Sequence, residues 1–305
     1  MLCFTFTRTI GAIVLFLITT WLIAGNLSFS LIKAQFKAKF DETRQQTPLF
    51  NIERNSTNHS KVALLIEPRP IRHLAPQILH MISVVPLDWS FVFVGSGESV
   101  SSLYRSRAVR KQQTTGKLNL LVLPEPWEID NKEKVDRLLA DIRFYDEFLP
   151  RAKWILKYEY DSILCANSEK SLNDWLRYDW ASLPSYNGDG SSSDEGLSLR
   201  RVSTIKRVLE SHSRYDGSSP EEEWFRTRIS TLPNTRVASN TRRQLAMKGT
   251  YFPSLMGFHV GDSIGQPSNG WWDNSALRMK ILNYCPELSI IMDMKLEKER
   301  CDGAE

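Results

Sequence analysis

Two carboxylates two positions apart, Glu159 and Asp161, are the residues in this chain whose types and spacing point most directly to chemistry. They close the stretch Trp154-Ile155-Leu156-Lys157-Tyr158-Glu159-Tyr160-Asp161, which starts as a buried-strand pattern and runs on as Ser162-Ile163-Leu164-Cys165-Ala166-Asn167. Side chains in a strand alternate faces, so residues at i and i+2 aim the same way. Glu159 and Asp161 are therefore expected to share one cation at a strand's carboxyl end. Oxygen ligands suit a hard ion such as Mg2+ or Mn2+, and such an ion suits a diphosphate. The same pair also fits a strand that ends in a polar turn with solvated acids, so its companions decide its meaning.

Several companions exist. Pro220 is followed by Glu221, Glu222, Glu223, Trp224 and Phe225, three acids at the start of an expected helix. Carboxylates there are favoured by the helix dipole alone, and one of them could equally serve as a general base toward an acceptor hydroxyl. His259 lies in a glycine-flanked segment, Met256-Gly257-Phe258-His259, where it fits a structural histidine or a ligand. The run Tyr186 to Ser193 reads as a loop, either closing over a ligand or forming a surface insertion. Arg200-Arg201-Val202-Ser203 resembles a basophilic kinase site, which a lumenal location disfavours.

The elements that must position these residues follow an alternating pattern. Apolar runs at Val62–Ile66, Trp89–Val94 and Leu118–Leu123 precede the stretch at Trp154. Between them lie helix-compatible segments over 73–84, 100–111 and 132–149, the last with Val135, Leu138, Leu139, Ile142 and Phe148 near helical spacing. Strands alternating with helices predict an α/β domain with a mainly parallel sheet and helices on both faces. Such sheets bind ligands beyond the carboxyl ends of their strands. That rule singles out Glu67 and Arg69 after the first run, Ser96 after the second, and Glu159 and Asp161 after the fourth.

The whole chain of 305 residues carries 42% hydrophobic and 24% charged residues, ordinary for a globular body. A net charge of +4 with scattered Lys and Arg gives no case for nucleic acid. Residues 9–32 contain no charged side chain and are long enough for a spanning helix, with 1–8 as a short cytoplasmic tail. An uncleaved signal-anchor with a lumenal body is expected over a cleaved signal peptide, because Ile23-Ala24-Gly25 matches a cleavage site poorly. Residues 33–60 read as a polar stem holding two glycosylation sequons, at Asn55 and Asn58. The domain proper is expected over 61–297, with a tail at 298–305. Cysteines stand at 3, 165, 285 and 301 without a C-x-x-C pair, and Cys165 with Cys285 is the pairing to test first.

Five segments together resemble a fungal family of glycosyltransferase-like proteins catalogued as a domain of unknown function. They are Ile66-Glu67-Pro68-Arg69-Pro70, Tyr160-Asp161-Ser162-Ile163-Leu164-Cys165-Ala166-Asn167, Gly196-Leu197-Ser198-Leu199-Arg200-Arg201, Glu221-Glu222-Glu223-Trp224-Phe225 and Met256-Gly257-Phe258-His259. The resemblance spans about Lys61 to Glu297 and implies a GT-A-like fold, with a mainly parallel mixed sheet flanked by helices behind the N-terminal anchor. It implies a type II transferase of the ER or Golgi lumen that moves a sugar from a UDP- or GDP-sugar to a glycan, protein or lipid acceptor. Under it, Asp161 binds Mn2+ or Mg2+ with Glu159 and His259 as partners, and Glu222 or Glu223 supplies the base. Glu67, Arg69, Ser96, Gly196 and Arg200 lie with Asp161 about the donor. The chain departs from the family at Glu159, often Gln there, at Glu195 in place of a glycine, and at Glu222 in place of Asp. A catalytically inactive lumenal binding or partner protein of the same fold is the alternative, and a metal-dependent phosphohydrolase is disfavoured because five scattered histidines do not form a cluster.

Overall fold

The structure is a computed structural model that describes residues 60–182, 196–215, 217–238, 246–247, 255–260 and 275–292. The expected anchor at 9–32, the stem up to His59, the loop at 186–193 with Glu195, and the tail at 298–305 lie outside the described residues. Among the described residues no helix is long and apolar enough to cross a membrane.

The chain enters the fold at β1 (Lys61–Ile66), followed by α1 (Leu74–Val84) and β2 (Ser90–Val94). Next come α2 (Gly97–Tyr104), α3 (Arg107–Thr114), β3 (Leu118–Leu121), α4 (Lys132–Leu139) and α5 (Ile142–Phe148). β4 (Trp154–Tyr158) and β5 (Ser162–Leu164) are followed by a 3-10 turn (Leu172–Trp175), β6 (Trp180–Ser182) and β7 (Leu197–Arg201). The remainder is α6 (Val202–Ser211), α7 (Glu221–Thr231), β8 (Val237–Ala238), β9 (Ala246–Met247), β10 (Gly257–His259), α8 (Ser275–Tyr284) and α9 (Leu288–Ile291). Two expected helices are each divided in two. Ser106 takes the Val109 N–H at 3.4 Å and Asp141 takes the Arg143 N–H at 2.9 Å, so each starts a new helix where the sequence pattern suggested continuation.

The main sheet runs β3-β2-β1-β4-β7-β6-β8. β1 pairs in parallel with β2 and β4, β2 with β3, and β6 with β8, while β7 is antiparallel to both β4 and β6. The sheet is thus mainly parallel and mixed. β1 and β2 are buried on both faces, which explains their unbroken apolar runs. Val62, Leu64, Val92, Val94 and Ile155 join one core with Phe144, Ile205, Val208, Trp224, Phe225 and Ile229 from the helices after β3. The chain builds outward from β1 to β3 and then crosses back to place β4 on the other side of β1. That reversal is a topological switch point, where open α/β sheets form a crevice beyond the strand ends.

A second, small sheet serves the site. β10 lies antiparallel to β5 with His259 opposite Ser162, and parallel to β9. The Val260 N–H donates to Asp161 O at 3.0 Å and the Cys165 N–H to Met256 O at 2.7 Å, extending the pairing at both ends. Gly257 is required in β10, since a Cβ there would lie 2.3 Å from Ile163 O. Beyond β5, Cys165 is joined to Cys285 in a disulfide, the pairing that the sequence put first for testing without fixing it.

Candidate metal and donor site

A cavity of about 330 Å3 opens at the carboxyl ends of β1 and β4. The strand ends contribute Glu67, Arg69, Glu159 and Tyr160, β4 contributes Lys157, and helices α4 and α7 contribute Asp136, Glu221 and Glu222. Beside it, ligand atoms of Glu159, Asp161 and His259 all lie within 4.8 Å of one another. Their convergence does not come from strand alternation. β4 ends at Tyr158, and the Ser162 N–H donates to Glu159 O at 3.0 Å, so the two carboxylates are gathered by a turn. His259 reaches them through the β5–β10 pairing.

This cluster is tightly built. Asp161 and His259 are each 2% exposed, and Asp161 Oδ1 stands 3.1 Å from His259 Nδ1. Burial pushes the Asp161 carboxyl upward, but the imidazole beside it holds it below the usual range. Apart from that contact, Asp161 Oδ1 is buried without a hydrogen-bond donor. Ser162 Oγ donates to Gly196 O at 2.6 Å, which leaves its lone pair toward His259 Nδ1 at 3.1 Å. Asp161, His259 and Ser162 do not form a nucleophilic relay, because serine and aspartate meet the same ring nitrogen. The Glu159 N–H also donates to Gly196 O, at 2.8 Å. Gly196 has φ +21°, and a Cβ there would lie 2.1 Å from His259 Nδ1. Gly196 thus positions the cluster. Two carboxylates and an imidazole, with a buried carboxylate oxygen short of a donor, fit a divalent cation such as Mn2+ or Mg2+.

An ion network supports the cavity from the side of α7. Lys157, in the middle of apolar β4, donates to Glu159 Oε1 at 2.6 Å and to Glu222 Oε1 at 2.9 Å. Glu222 Oε1 also accepts from Ser198 Oγ and Arg200 Nη2, both at 3.0 Å. Arg200 makes a forked pair with Glu221 and lies over the Trp180 ring, 4.6 Å from its centroid. It is 1% exposed and does not line the cavity, so it holds α7 to the sheet instead of reaching a donor. Burial pushes the Glu222 carboxyl up, but Lys157 and Arg200 overcome it and bring it down to about 2. Its buried Oε2 carries no hydrogen bond. Glu222 can accept a hydrogen bond from a hydroxyl there, yet it has too little proton affinity to make a good base. Glu223 is half-buried and is not on the cavity wall.

At the other side, Glu67 is committed to Arg69. Its Oε1 accepts from Arg69 N at 2.9 Å and Nε at 2.8 Å, and its Oε2 from Nη2 at 2.8 Å. Glu67 therefore aims Arg69, which stays largely open to the cavity mouth and lies 4.6 Å from the Tyr160 ring centroid. Ser96 is displaced from the expected role. Its Oγ donates to Pro68 O at 2.6 Å and accepts the Ser99 N–H at 3.1 Å, capping α2 and fastening the Glu67–Arg69 loop without lining the cavity.

Residues 117–247 match a family described as "Protein of unknown function (DUF5672)". The matched span holds Glu159, Asp161, Gly196 and the α7 acids but stops short of His259. No curated protein gives a significant match. Among solved structures, the chain is similar to a glycosyltransferase involved in glycosylation of the major capsid of PBCV-1, at 13% identity and TM-score 0.40, covering 72% of this chain and 99% of that one. It is also similar to a mannosyltransferase from Pyrobaculum calidifontis, solved in complex with GDP-Man and Mn2+, at 11% identity and TM-score 0.45, covering 85% and 76%. A third is a 4-diphosphocytidyl-2C-methyl-D-erythritol synthase from Anaerococcus prevotii DSM 20548, at 9% identity and TM-score 0.35, covering 59% and 86%. The chemistry of this chain rests on its own side chains.

Three of those side chains were not singled out from the sequence. Lys157 carried a signal, a lone charge inside an apolar strand. Tyr160 stands between the two acids, where an aromatic carries no chemical signal of its own. Asp136 had only a faint one, an acid beside the apolar stripe of Val135, Leu138 and Leu139. Its place on the wall depends on α7 arriving from 85 residues downstream, where the Glu221 N–H donates to Asp136 Oδ2 at 3.2 Å.

Proposed function

We propose that this chain is a metal-dependent glycosyltransferase that takes a sugar from a nucleoside diphosphate sugar, UDP- or GDP-linked, and passes it to a hydroxyl of a glycan, protein or lipid. The observation that carries the reading is the Glu159–Asp161–His259 cluster beside a cavity at the sheet's switch point. Those three residues would hold Mn2+ or Mg2+. When bound, such an ion supplies Lewis-acid neutralisation of a departing diphosphate. Arg69, aimed by Glu67, places a guanidinium at the mouth, where phosphate oxygens are its natural partners. The Tyr160 ring backs the Arg69 guanidinium, and Glu222 Oε2 offers an acceptor for a sugar hydroxyl. A type II membrane protein of the ER or Golgi lumen is consistent with the uncharged segment at 9–32, the sequons at Asn55 and Asn58, and the Cys165–Cys285 disulfide.

One observation favours the alternative of a non-catalytic relative. Lys157 Nζ sits 2.6 Å from Glu159 Oε1 and so competes for one of the three cation ligands. Thermal unfolding of the full-length protein with UDP or GDP, with and without Mn2+, separates the two. The enzyme reading expects a nucleotide-dependent rise in Tm that needs Mn2+ and disappears in Asp161→Ala. No rise with either nucleotide, or a rise that Asp161→Ala leaves intact, overturns the metal-site assignment.

A further inference from the structure

The reaction needs a group to receive the acceptor's proton, and the acids first suggested for it are poorly placed. Glu222 is held ionised by Lys157 and Arg200, Glu221 is clamped by Arg200, and Glu223 is off the wall. Asp136 is different. It lines the cavity from α4 and is 8% exposed. Its Oδ2 accepts the Glu221 N–H at 3.2 Å and an Arg214 Nη2 hydrogen at 3.3 Å, both long contacts. Among the described residues its Oδ1 has no protein donor.

The surrounding charges are already committed elsewhere. The Arg214 guanidinium is forked onto Glu133 at 2.8 and 2.9 Å. The Lys157 ammonium is shared between Glu159 and Glu222, and the Glu221 carboxylate adds a second negative charge near Asp136. Burial first, and then Glu221, push the Asp136 carboxyl up to about 6, with Lys157 and Arg214 offsetting only part of the rise. Of the carboxylates on this wall, Asp136 combines a free oxygen with a proton affinity suited to accepting and releasing a proton near neutral pH.

We propose that Asp136 is the general base of the transfer, taking the acceptor hydroxyl's proton on Oδ1 as that oxygen attacks the donor's anomeric carbon. The new bond joins the acceptor oxygen to the anomeric carbon. The bond from that carbon to the diphosphate oxygen breaks, its electron pair leaves with the diphosphate, and the proton stays on Asp136. Direct displacement makes the transfer an inverting one. The assignment rests on the glycosyltransferase reading, and its test is built to fail separately from it.

The test uses full-length protein in detergent with a panel of UDP- and GDP-sugars and Mn2+, following nucleoside diphosphate release. Asp136→Asn keeps a side-chain oxygen for the Glu221 N–H, so α7 stays capped. The expected result is an unchanged nucleotide-dependent Tm shift with turnover lowered about 10²- to 10⁴-fold. The wild-type pH–rate profile should fall on the acid side near pH 6, and that limb should be missing from the residual activity of Asp136→Asn. Formate added to Asp136→Ala, whose truncation leaves room for a small carboxylate, should restore part of the turnover. A normal Tm response with turnover within a few-fold of wild type, or an acid limb kept by the variant, overturns the base while leaving the transferase reading standing. Retention of anomeric configuration, or binding without turnover at any pH, counts equally against it. Absence of any nucleotide response in the wild type removes the transferase reading and this assignment with it.

Discussion

Gly196 shows how much of the cluster depends on one missing side chain. Its carbonyl takes hydrogen bonds from Glu159 N and Ser162 Oγ, and its α-carbon lies against the His259 ring. Gly196→Ala must displace the imidazole or the backbone and also strains a φ of +21°. A loss of about 1–3 kcal/mol is expected from such overpacking, measured by urea unfolding, together with a weakened Mn2+ response. Asp136 gives a prediction with a sign. Its folded-state value near 6 lies above its ordinary 3.8, so the folded protein favours the protonated form. The stability this brings is complete below about 3.8 and is lost as pH rises through about 6. The Tm of Asp136→Asn should therefore gain on wild type between pH 4.5 and 7.5. The gain is worth about 1–2 kcal/mol after allowance for solvent screening, and an unchanged gap would refute the raised proton affinity. At this scale the sequence was half legible. The spacing of Glu159 and Asp161 was visible, but the turn that gathers them was not. Nothing near Arg200 announced that its partners would be Glu221 and Glu222.

Elements were legible where their signals are local. The apolar runs of β1, β2, β3 and β4 stand where the sequence pattern places them, as do the starts of α6 at Val202 and of α7 at its three acids, whereas the divided helices show the local caps Ser106 and Asp141 overriding a continuous helical pattern. β7 is the alternating Leu-Ser-Leu-Arg segment, too short to declare a strand by itself, and its antiparallel course makes the sheet mixed. The pairing of β5 with β10 could not be read, because strand register across such a separation is set by tertiary packing and not by either segment alone. The Cys165–Cys285 bridge acts at this same scale. It ties the end of β5, the strand beside the Glu159–Asp161–His259 cluster, to the end of α8 across 120 positions of sequence. Replacing both cysteines by serine should cost about 2–5 kcal/mol of stability. The variant should melt alike with and without reductant, while the wild type falls to its level when reduced. A reductant-insensitive wild type would show the bridge to be dispensable.

At the scale of the whole molecule, the alternating pattern foretold the mainly parallel sheet, and the sheet foretold which loops would meet. The switch between β1 and β4 gathers the residues after both strands into one crevice, so residues 92 positions apart, Glu67 and Glu159, share a cavity. A contribution from α7 is expected through Glu222 and Glu223, whereas that of α4 could not be foreseen, because helices reach the crevice by packing and leave no mark at the strand ends. The acids and bases of the wall consequently form one network, and single substitutions there will not be additive.

The course of β1 also fixes an approach direction. The chain comes in at Lys61, at the amino end of the sheet, and the crevice lies past Ile66 at the other end, a strand's length of about 20 Å away. A molecule entering past Ile66 meets the loops at the carboxyl ends of the strands first, on the side away from the point where the chain joins the sheet.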